Sequence, residues 1–109
     1  MATGTALFVY GTLMSEDRLF SLTGRRFLRC PAILADHARV FPEALGGYPD
    51  LAPRAGEQVI GVLLEDVDTA SLHALDAYED LGRLYQRRQV EVSARGVRVA
   101  CQVYVTRRV

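Results

Sequence analysis

The last quarter of the chain carries the pattern that constrains the fold most. Residues 89–93 alternate polar and apolar side chains, and residues 97–105 place a valine or a cysteine at every second position. Such alternation is typical of strands that turn one face toward a core. Between the two segments, residues 94–96 end in a glycine turn signal. The sequence therefore predicts a β-hairpin in which both strands are half-buried.

Three further segments have the length and composition of strands. Residues 6–10 form a continuous apolar run, as do most of residues 58–64. Residues 27–41 are also largely apolar, and we expect a bulge where Pro31 interrupts them. Residues 42–56 hold three prolines and a Gly-Gly pair, so they are predicted to form a loop.

Two segments are predicted to be short helices. Ser15 can cap a helix that ends at Gly24, and Asp68 can cap a second helix from residue 69 to about residue 80. Strands outnumber helices, so the predicted fold class is α+β, with five to six strands in a small mixed, barrel-like sheet and two helices. A length of 109 residues predicts a single domain over 1–109.

Composition excludes several classes of chemistry. The chain has thirteen basic and thirteen acidic residues, and every basic residue is arginine. Without lysine there is no Schiff-base lysine and no P-loop lysine. The balanced charge argues against a nucleic-acid partner. Cys30 and Cys101, without signs of secretion, are predicted to be reduced thiols in the core.

The sequence also lacks the usual signals for membranes and metals. No apolar run is long enough to span a bilayer, and the first residues lack the regions of a signal peptide. We therefore expect a cytoplasmic protein with no membrane partner. His37 and His73 are predicted at the surface or at an edge, and no metal-ligand spacing occurs, so no metal site and no cofactor are expected.

The second predicted helix places a carboxylate where an apolar residue is expected. Leu72 and Leu75 define its apolar face, and Glu79 follows four residues after Leu75 on that face. A carboxylate there is costly unless it is paired or faces a cavity, and burial moves its pKa toward the range of a general acid/base. Two interpretations stay open: a catalytic glutamate, or one that reaches solvent or pairs with an arginine of segment 83–88.

The turn after the first strand is the second unusual feature. A strand ends at Gly11 shortly before a helix, and the backbone N–H groups of such a turn can form a concave anion site. The alternative is a plain turn in which Gly11 only relieves strain.

Together these features resemble the γ-glutamylcyclotransferase-like superfamily, and specifically its short AIG2-like branch. The order and spacing of four segments carry the resemblance: Phe8-Val9-Tyr10-Gly11-Thr12-Leu13, Tyr48-Pro49, Val59-Ile60-Gly61-Val62-Leu63, and Leu75-Asp76-Ala77-Tyr78-Glu79 followed by Tyr85-Gln86-Arg87. One departure is Asp80, where glycine commonly follows the glutamate.

The resemblance implies a barrel-like fold and a cofactor-independent reaction on a small-molecule γ-glutamyl amide. The substrate's own α-amine attacks the γ-carbonyl, and 5-oxoproline and an amine are released. Glu79 is implied as the catalytic acid/base. The implied substrate-binding residues are Tyr10, Gly11, Thr12, Leu13, Tyr48 and Tyr85.

Several alternatives stay open at this point. The same fold can serve as a non-catalytic module that binds a ligand or a partner. Arginine clusters at 25–29 and 83–88 admit a nucleic-acid binder, which the neutral charge disfavours. The leaving amine is not determined: it is a free amino acid, an amine of the γ-glutamyl-ε-lysine type or an acylated metabolite. The chain is expected to be a monomer or a small homo-oligomer.

Overall fold

The structure is a computed structural model that describes residues 4–106; the start of the chain, where no signal peptide was predicted, lies partly outside them. The elements are β1 (Thr5–Val9), α1 (Glu16–Thr23), β2 (Arg29–Val40), β3 (Asp50–Val67), α2 (Thr69–Tyr78), β4 (Tyr85–Ala94) and β5 (Val97–Thr106). Short 3-10 turns occupy Thr12–Met14 and Glu43–Leu45. Five strands and two α-helices within this range confirm the predicted α+β class.

The five strands close into a barrel in the order β1-β3-β2-β4-β5. Neighbouring strands are antiparallel except β1 and β5, which run parallel, so the sheet is mixed as predicted. The long strand β3 pairs along its length with both β1 and β2, whereas the pairing of β2 with β4 is short and includes Ile33 and Ser93. Strand β3 therefore lies between β1 and β2 and connects them within the barrel.

Strand β1 is buried on both faces, which explains its continuous apolar run. Phe8 points into the barrel, while Leu7 belongs to a second apolar cluster that includes helix residues of α1 and α2. Both side chains are 0% exposed. Cys30 and Cys101 lie in the barrel core as free thiols, which confirms their predicted placement. The end of β1 is thus held rigidly between two layers.

The predicted caps and hairpin are present. The side chains of Ser15 and Asp68 each accept a hydrogen bond from the backbone N–H three residues on, both at 3.2 Å. Helix α1 ends at Thr23, and Gly24 caps it with a φ of 73°. The turn between β4 and β5 has positive φ at Arg95 and Gly96, the conformation that a tight hairpin requires. Helix α2 ends at Tyr78, two residues before the predicted end.

The loop predicted for residues 42–56 is wrong over its second half, because β3 already begins at Asp50. Pro53, which suggested a loop, pairs with His37 beside a register shift between β2 and β3, a position where strands tolerate proline. Residues 53–58 are exposed, so this part of the strand lacks the apolar pattern that would have revealed it.

The predicted bulge near Pro31 is also wrong. Pro31 pairs regularly with Val62, and the register shifts at Asp36 instead. Asp36 has a φ of 59°, and its carboxylate accepts a hydrogen bond from the backbone N–H of Gly56 at 3.0 Å. Aspartate tolerates this left-handed conformation better than most residues do, and the side-chain bond holds the bulge in place.

Gly61 is required where β3 crosses β1. A Cβ atom at this position would lie 2.5 Å from the carbonyl oxygen of Val9 and 2.7 Å from Cζ of Phe8. We expect Gly61→Ala to cost about 1–3 kcal/mol through overpacking, lowering the melting temperature by roughly 4–8 °C per kcal/mol. The adjacent control Ile60→Ala, at a side chain 62% exposed, should change it little. Equal melting temperatures for both variants in thermal denaturation would contradict the prediction.

Candidate active site

A cleft opens where β1 ends. It contains about 350 Å³ of empty space, its open mouth included. We call it the main cleft, and its lining residues are Phe8, Val9, Tyr10, Gly11, Thr12, Leu13, Tyr48, Pro49, Glu79, Tyr85 and Tyr104.

The structure brings every sequence-predicted site residue to this one cleft. These residues come from four separate parts of the chain: the turn 10–13, Tyr48 before β3, Glu79 after α2 and Tyr85 at the start of β4. Sequence reasoning missed four lining residues: Phe8, Val9, Pro49 and Tyr104. Pro49 follows Tyr48 directly in the sequence. Tyr104 lies on the opposite side of β5 from its valines, and packs toward α2.

Gly11 allows the turn to approach the loop before β3. A Cβ atom here would lie 2.9 Å from Cγ of Pro49, so a side chain would push the two walls of the main cleft apart. Glycine at this position therefore permits the close approach of the turn to Pro49. The turn continues as a 3-10 helix, and its first N–H groups have no acceptor within the helix.

Glu79 lies directly after the last residue of α2. Its backbone N–H still donates to the carbonyl of Leu75 at 2.9 Å, which keeps it on the apolar face of the helix. The side chain is partly buried, and burial raises its pKa from 4.5 to about 7. Within residues 4–106, no side chain forms a hydrogen bond or ion pair with its carboxylate.

The arginines that could have neutralised Glu79 bind other partners. Arg83 pairs with Asp80 at 2.6 Å, and Arg87 pairs with Asp76 at 3.0 Å. Arg88 lies 3.5 Å from the His37 ring. The alternative in which an arginine of segment 83–88 clamps Glu79 is therefore contradicted.

Three tyrosine hydroxyls form the inner wall. The Tyr10 hydroxyl donates to the backbone carbonyl of Tyr104 at 2.5 Å, and the Tyr85 hydroxyl donates to the carbonyl of Pro49 at 3.2 Å. Burial, with nearby negative charge, raises the pKa of Tyr85 to about 12 and the pKa of Tyr10 still further. These hydroxyls therefore stay neutral beside Glu79.

Tyr104 is fixed from outside the cleft by an ion pair. Its hydroxyl donates to Asp76 at 2.5 Å, and that carboxylate also accepts two hydrogen bonds from the Arg87 guanidinium, at 3.0 and 3.3 Å. Burial and the bond to Asp76 raise the pKa of Tyr104. Arg87, which the sequence placed in a family-like segment, thus supports the wall and does not line the cleft.

Two further contacts hold the turn in place. The Arg39 guanidinium donates to the carbonyl of Tyr10 at 3.0 Å and to that of Ile60 at 2.9 Å. The hydroxyls of Thr12 and Tyr78 share a hydrogen bond of 3.0 Å. Arg39 had no sequence signal, because a lone arginine on a strand gives no hint of a backbone partner.

Within residues 4–106, no three His, Cys, Asp or Glu side chains are grouped so that they could hold a metal ion. His73 is exposed and His37 is partly exposed, as the sequence predicted. No helix in this range is long and apolar enough to cross a membrane.

The sequence is similar to a described protein family and to two named proteins. Residues 7–109 match the family model described as gamma-glutamyl cyclotransferase, AIG2-like. A Methanocaldococcus jannaschii protein named as a gamma-glutamylcyclotransferase and candidate RNase is 29% identical over 100 residues, which are 91% of this chain and 45% of that protein. AIG2-like protein D of Arabidopsis thaliana is 33% identical over 87 residues, 80% of this chain and 55% of that protein.

The fold is also shared with a solved structure. A protein called gamma-glutamyl cyclotransferase superimposes with a TM-score of 0.83 at 22% identity, covering 94% of this chain and 66% of that one. The chain spans about half the length of the two named sequence relatives.

Proposed function

The chain belongs to the gamma-glutamyl cyclotransferase, AIG2-like family, and from that premise we propose that it releases 5-oxoproline and an amine from a γ-glutamyl amide in its main cleft. The observation that carries the proposal is the carboxylate of Glu79, partly buried, unpaired among residues 4–106, and placed against the turn that ends β1. Such a group is available for proton transfer and not committed to holding the fold.

The proposed reaction takes place within one substrate molecule. The substrate's α-amine forms a bond to its γ-carbonyl carbon, the bond from that carbon to the amide nitrogen breaks, and a five-membered lactam results. Because nucleophile and electrophile are already joined, the protein contributes orientation and proton transfer. The tyrosine wall and the turn 10–13 would provide the orientation.

Glu79 would carry the proton. It takes one from the substrate's α-ammonium, which makes the nitrogen nucleophilic, and returns one to the departing nitrogen. A carboxyl group with a pKa of about 7 serves both steps near neutral pH. Backbone N–H groups of Gly11, Thr12 and Leu13 would hold the substrate carboxylate or polarise the γ-carbonyl.

This assignment predicts a pH dependence. The base form of Glu79 is needed, so kcat/KM should fall as pH drops below about 7, approaching tenfold per pH unit. The measurement is 5-oxoproline formation at subsaturating substrate, with circular dichroism at each pH to show that the fold persists. A profile that stays level down to about pH 5 would contradict a base with a raised pKa.

Tyr85 should have a smaller role. Tyr85→Phe removes the hydrogen bond to Pro49 and loosens the wall that Tyr48 and Pro49 form. Loss of one neutral hydrogen bond costs about 0.5–1.5 kcal/mol, so we expect kcat/KM to fall roughly two- to tenfold. Steady-state kinetics checks this, and wild-type constants would show that the hydroxyl contributes nothing.

The proposed function itself is tested with a panel of γ-glutamyl compounds and detection of 5-oxoproline by mass spectrometry. Release that depends on the protein supports the proposal. Calorimetric titration distinguishes the enzyme from a non-catalytic binding module. The module would bind γ-glutamyl ligands without turning them over. Absence of turnover across the panel would overturn the proposal.

A further inference from the structure

A second cleft adjoins the main cleft. It contains about 450 Å³ of empty space, its mouth included. We call it the side cleft, and its lining residues are Tyr48, Tyr78, Glu79, Asp80, Leu84 and Tyr85. Three of them, Tyr48, Glu79 and Tyr85, line both clefts, so these residues form the boundary between the two.

The position of Glu79 on this boundary has a chemical consequence, which rests on the proposed function. If the γ-glutamyl group occupies the main cleft and Glu79 protonates the departing nitrogen, that nitrogen lies at the boundary. The substituent on the nitrogen must then extend away from the turn 10–13. The side cleft is the concave surface that Glu79 shares on that side.

The walls of the side cleft are mainly apolar and aromatic. Tyr48 is 53% exposed and Leu84 is 42% exposed, so both present apolar surface that the fold leaves uncovered. Tyr78 is held by its hydrogen bond to Thr12 and by the Arg18 guanidinium, which lies 5.8 Å from the centre of its ring. An aromatic wall fixed in this way can stack against a flat group with little loss of entropy.

Apart from Glu79, whose carboxylate the proposed function commits to proton transfer, the lining of the side cleft within residues 4–106 has no carboxylate free to pair with a cationic ligand. Besides Glu79, its charged member is Asp80, whose carboxylate already pairs with Arg83 at 2.6 Å. A cationic amine would have to lose its hydration and compete with that guanidinium. An apolar substituent meets no such cost, and burying it against Tyr48 and Leu84 removes apolar surface from water.

We propose that the side cleft receives the leaving amine and selects substrates whose amine carries an apolar, preferably aromatic, substituent. Tyr48, Tyr78 and Leu84 provide the contact surface. Glu79 lies at the entrance, where the amide bond breaks.

The test compares two γ-glutamyl amides that differ by one phenyl ring, γ-glutamylphenethylamide and γ-glutamylethylamide. We expect kcat/KM for the phenethylamide to be about tenfold higher, as for other apolar groups that fill an apolar pocket. A third compound, γ-glutamyl-ε-lysine, carries a charged group on its leaving amine and should be turned over less well than the phenethylamide.

Variants connect the preference to the side cleft. Leu84→Ala should reduce the ratio of the two kcat/KM values about threefold. Leu28→Ala is the matched control, because Leu28 is 75% exposed and lines neither cleft; it should leave the ratio unchanged. Circular dichroism verifies that both variants fold.

The outcomes separate this inference from the proposed function. Without 5-oxoproline from these three amides or from any other compound of the panel, both fail; release from another compound of the panel but from none of these three contradicts the assignment of the side cleft alone. If the amides are turned over with equal kcat/KM, if the lysine compound is preferred, or if Leu84→Ala leaves the ratio as in wild type, the cyclotransferase proposal stands and the assignment of the side cleft is wrong.

Discussion

We expect Glu79→Gln to lower 5-oxoproline release by about 10²–10⁴-fold, the usual contribution of general acid/base catalysis. Glutamine has nearly the same shape as glutamate but cannot accept the substrate's proton. No hydrogen bond or ion pair of Glu79 with another side chain of residues 4–106 is lost, so the fold should be kept. The measurement is kcat/KM from mass-spectrometric detection of 5-oxoproline, with circular dichroism as evidence of folding.

The matched control is Glu57→Gln. Glu57 is exposed, its carboxylate lies 3.6 Å from the Arg54 guanidinium in the exposed part of β3, and it lines neither cleft. Its substitution should leave the rate unchanged. A folded Glu79→Gln protein that keeps most of its activity would remove Glu79 from the mechanism.

Glu79→Gln should also stabilise the protein at alkaline pH. The pKa of Glu79 is about 7 in the folded state against 4.5 for an ordinary glutamate, so the folded state binds the proton more tightly than the unfolded state does. Stability therefore falls as pH rises from about 4.5 to 7. Above that range the buried charge costs roughly 3 kcal/mol, a cost that glutamine avoids.

Thermal denaturation of both proteins checks this linkage. Glu79→Gln should melt several degrees higher than wild type near pH 8, and the difference should disappear near pH 4. A Glu79→Gln protein that is less stable than wild type at alkaline pH would mean that stabilising contacts hold the carboxylate.

Glu79 could be recognised from the sequence because it places a carboxylate on the apolar helix face that Leu72 and Leu75 define. Similarly, the run 6–10 ended at a glycine, which marked the turn. Both signals are local. They become a site only because β3 joins β1 to β2 and α2 follows β3 directly, which brings the two segments together.

The features that the sequence did not reveal depend on contacts between residues that are far apart in the chain. Tyr104 is defined by its hydrogen bond to Asp76, 28 positions away. Arg39 is defined by its hydrogen bond to the backbone carbonyl of Tyr10, directly after β1. The early part of β3 contains Pro53 and the exposed residues 53–58, so its strand character comes from pairing with β2 and not from an apolar pattern. No local periodicity encodes such contacts.

The role of Glu79 is tested most directly by titrating its side-chain carboxyl carbon by NMR, in the free protein and with a γ-glutamyl ligand present. We expect a midpoint near 7 in the free protein and a changed chemical shift when the ligand binds. A midpoint close to the ordinary 4.5, with no response to the ligand, would contradict the claim that this carboxylate lies in the substrate cleft ready to transfer protons.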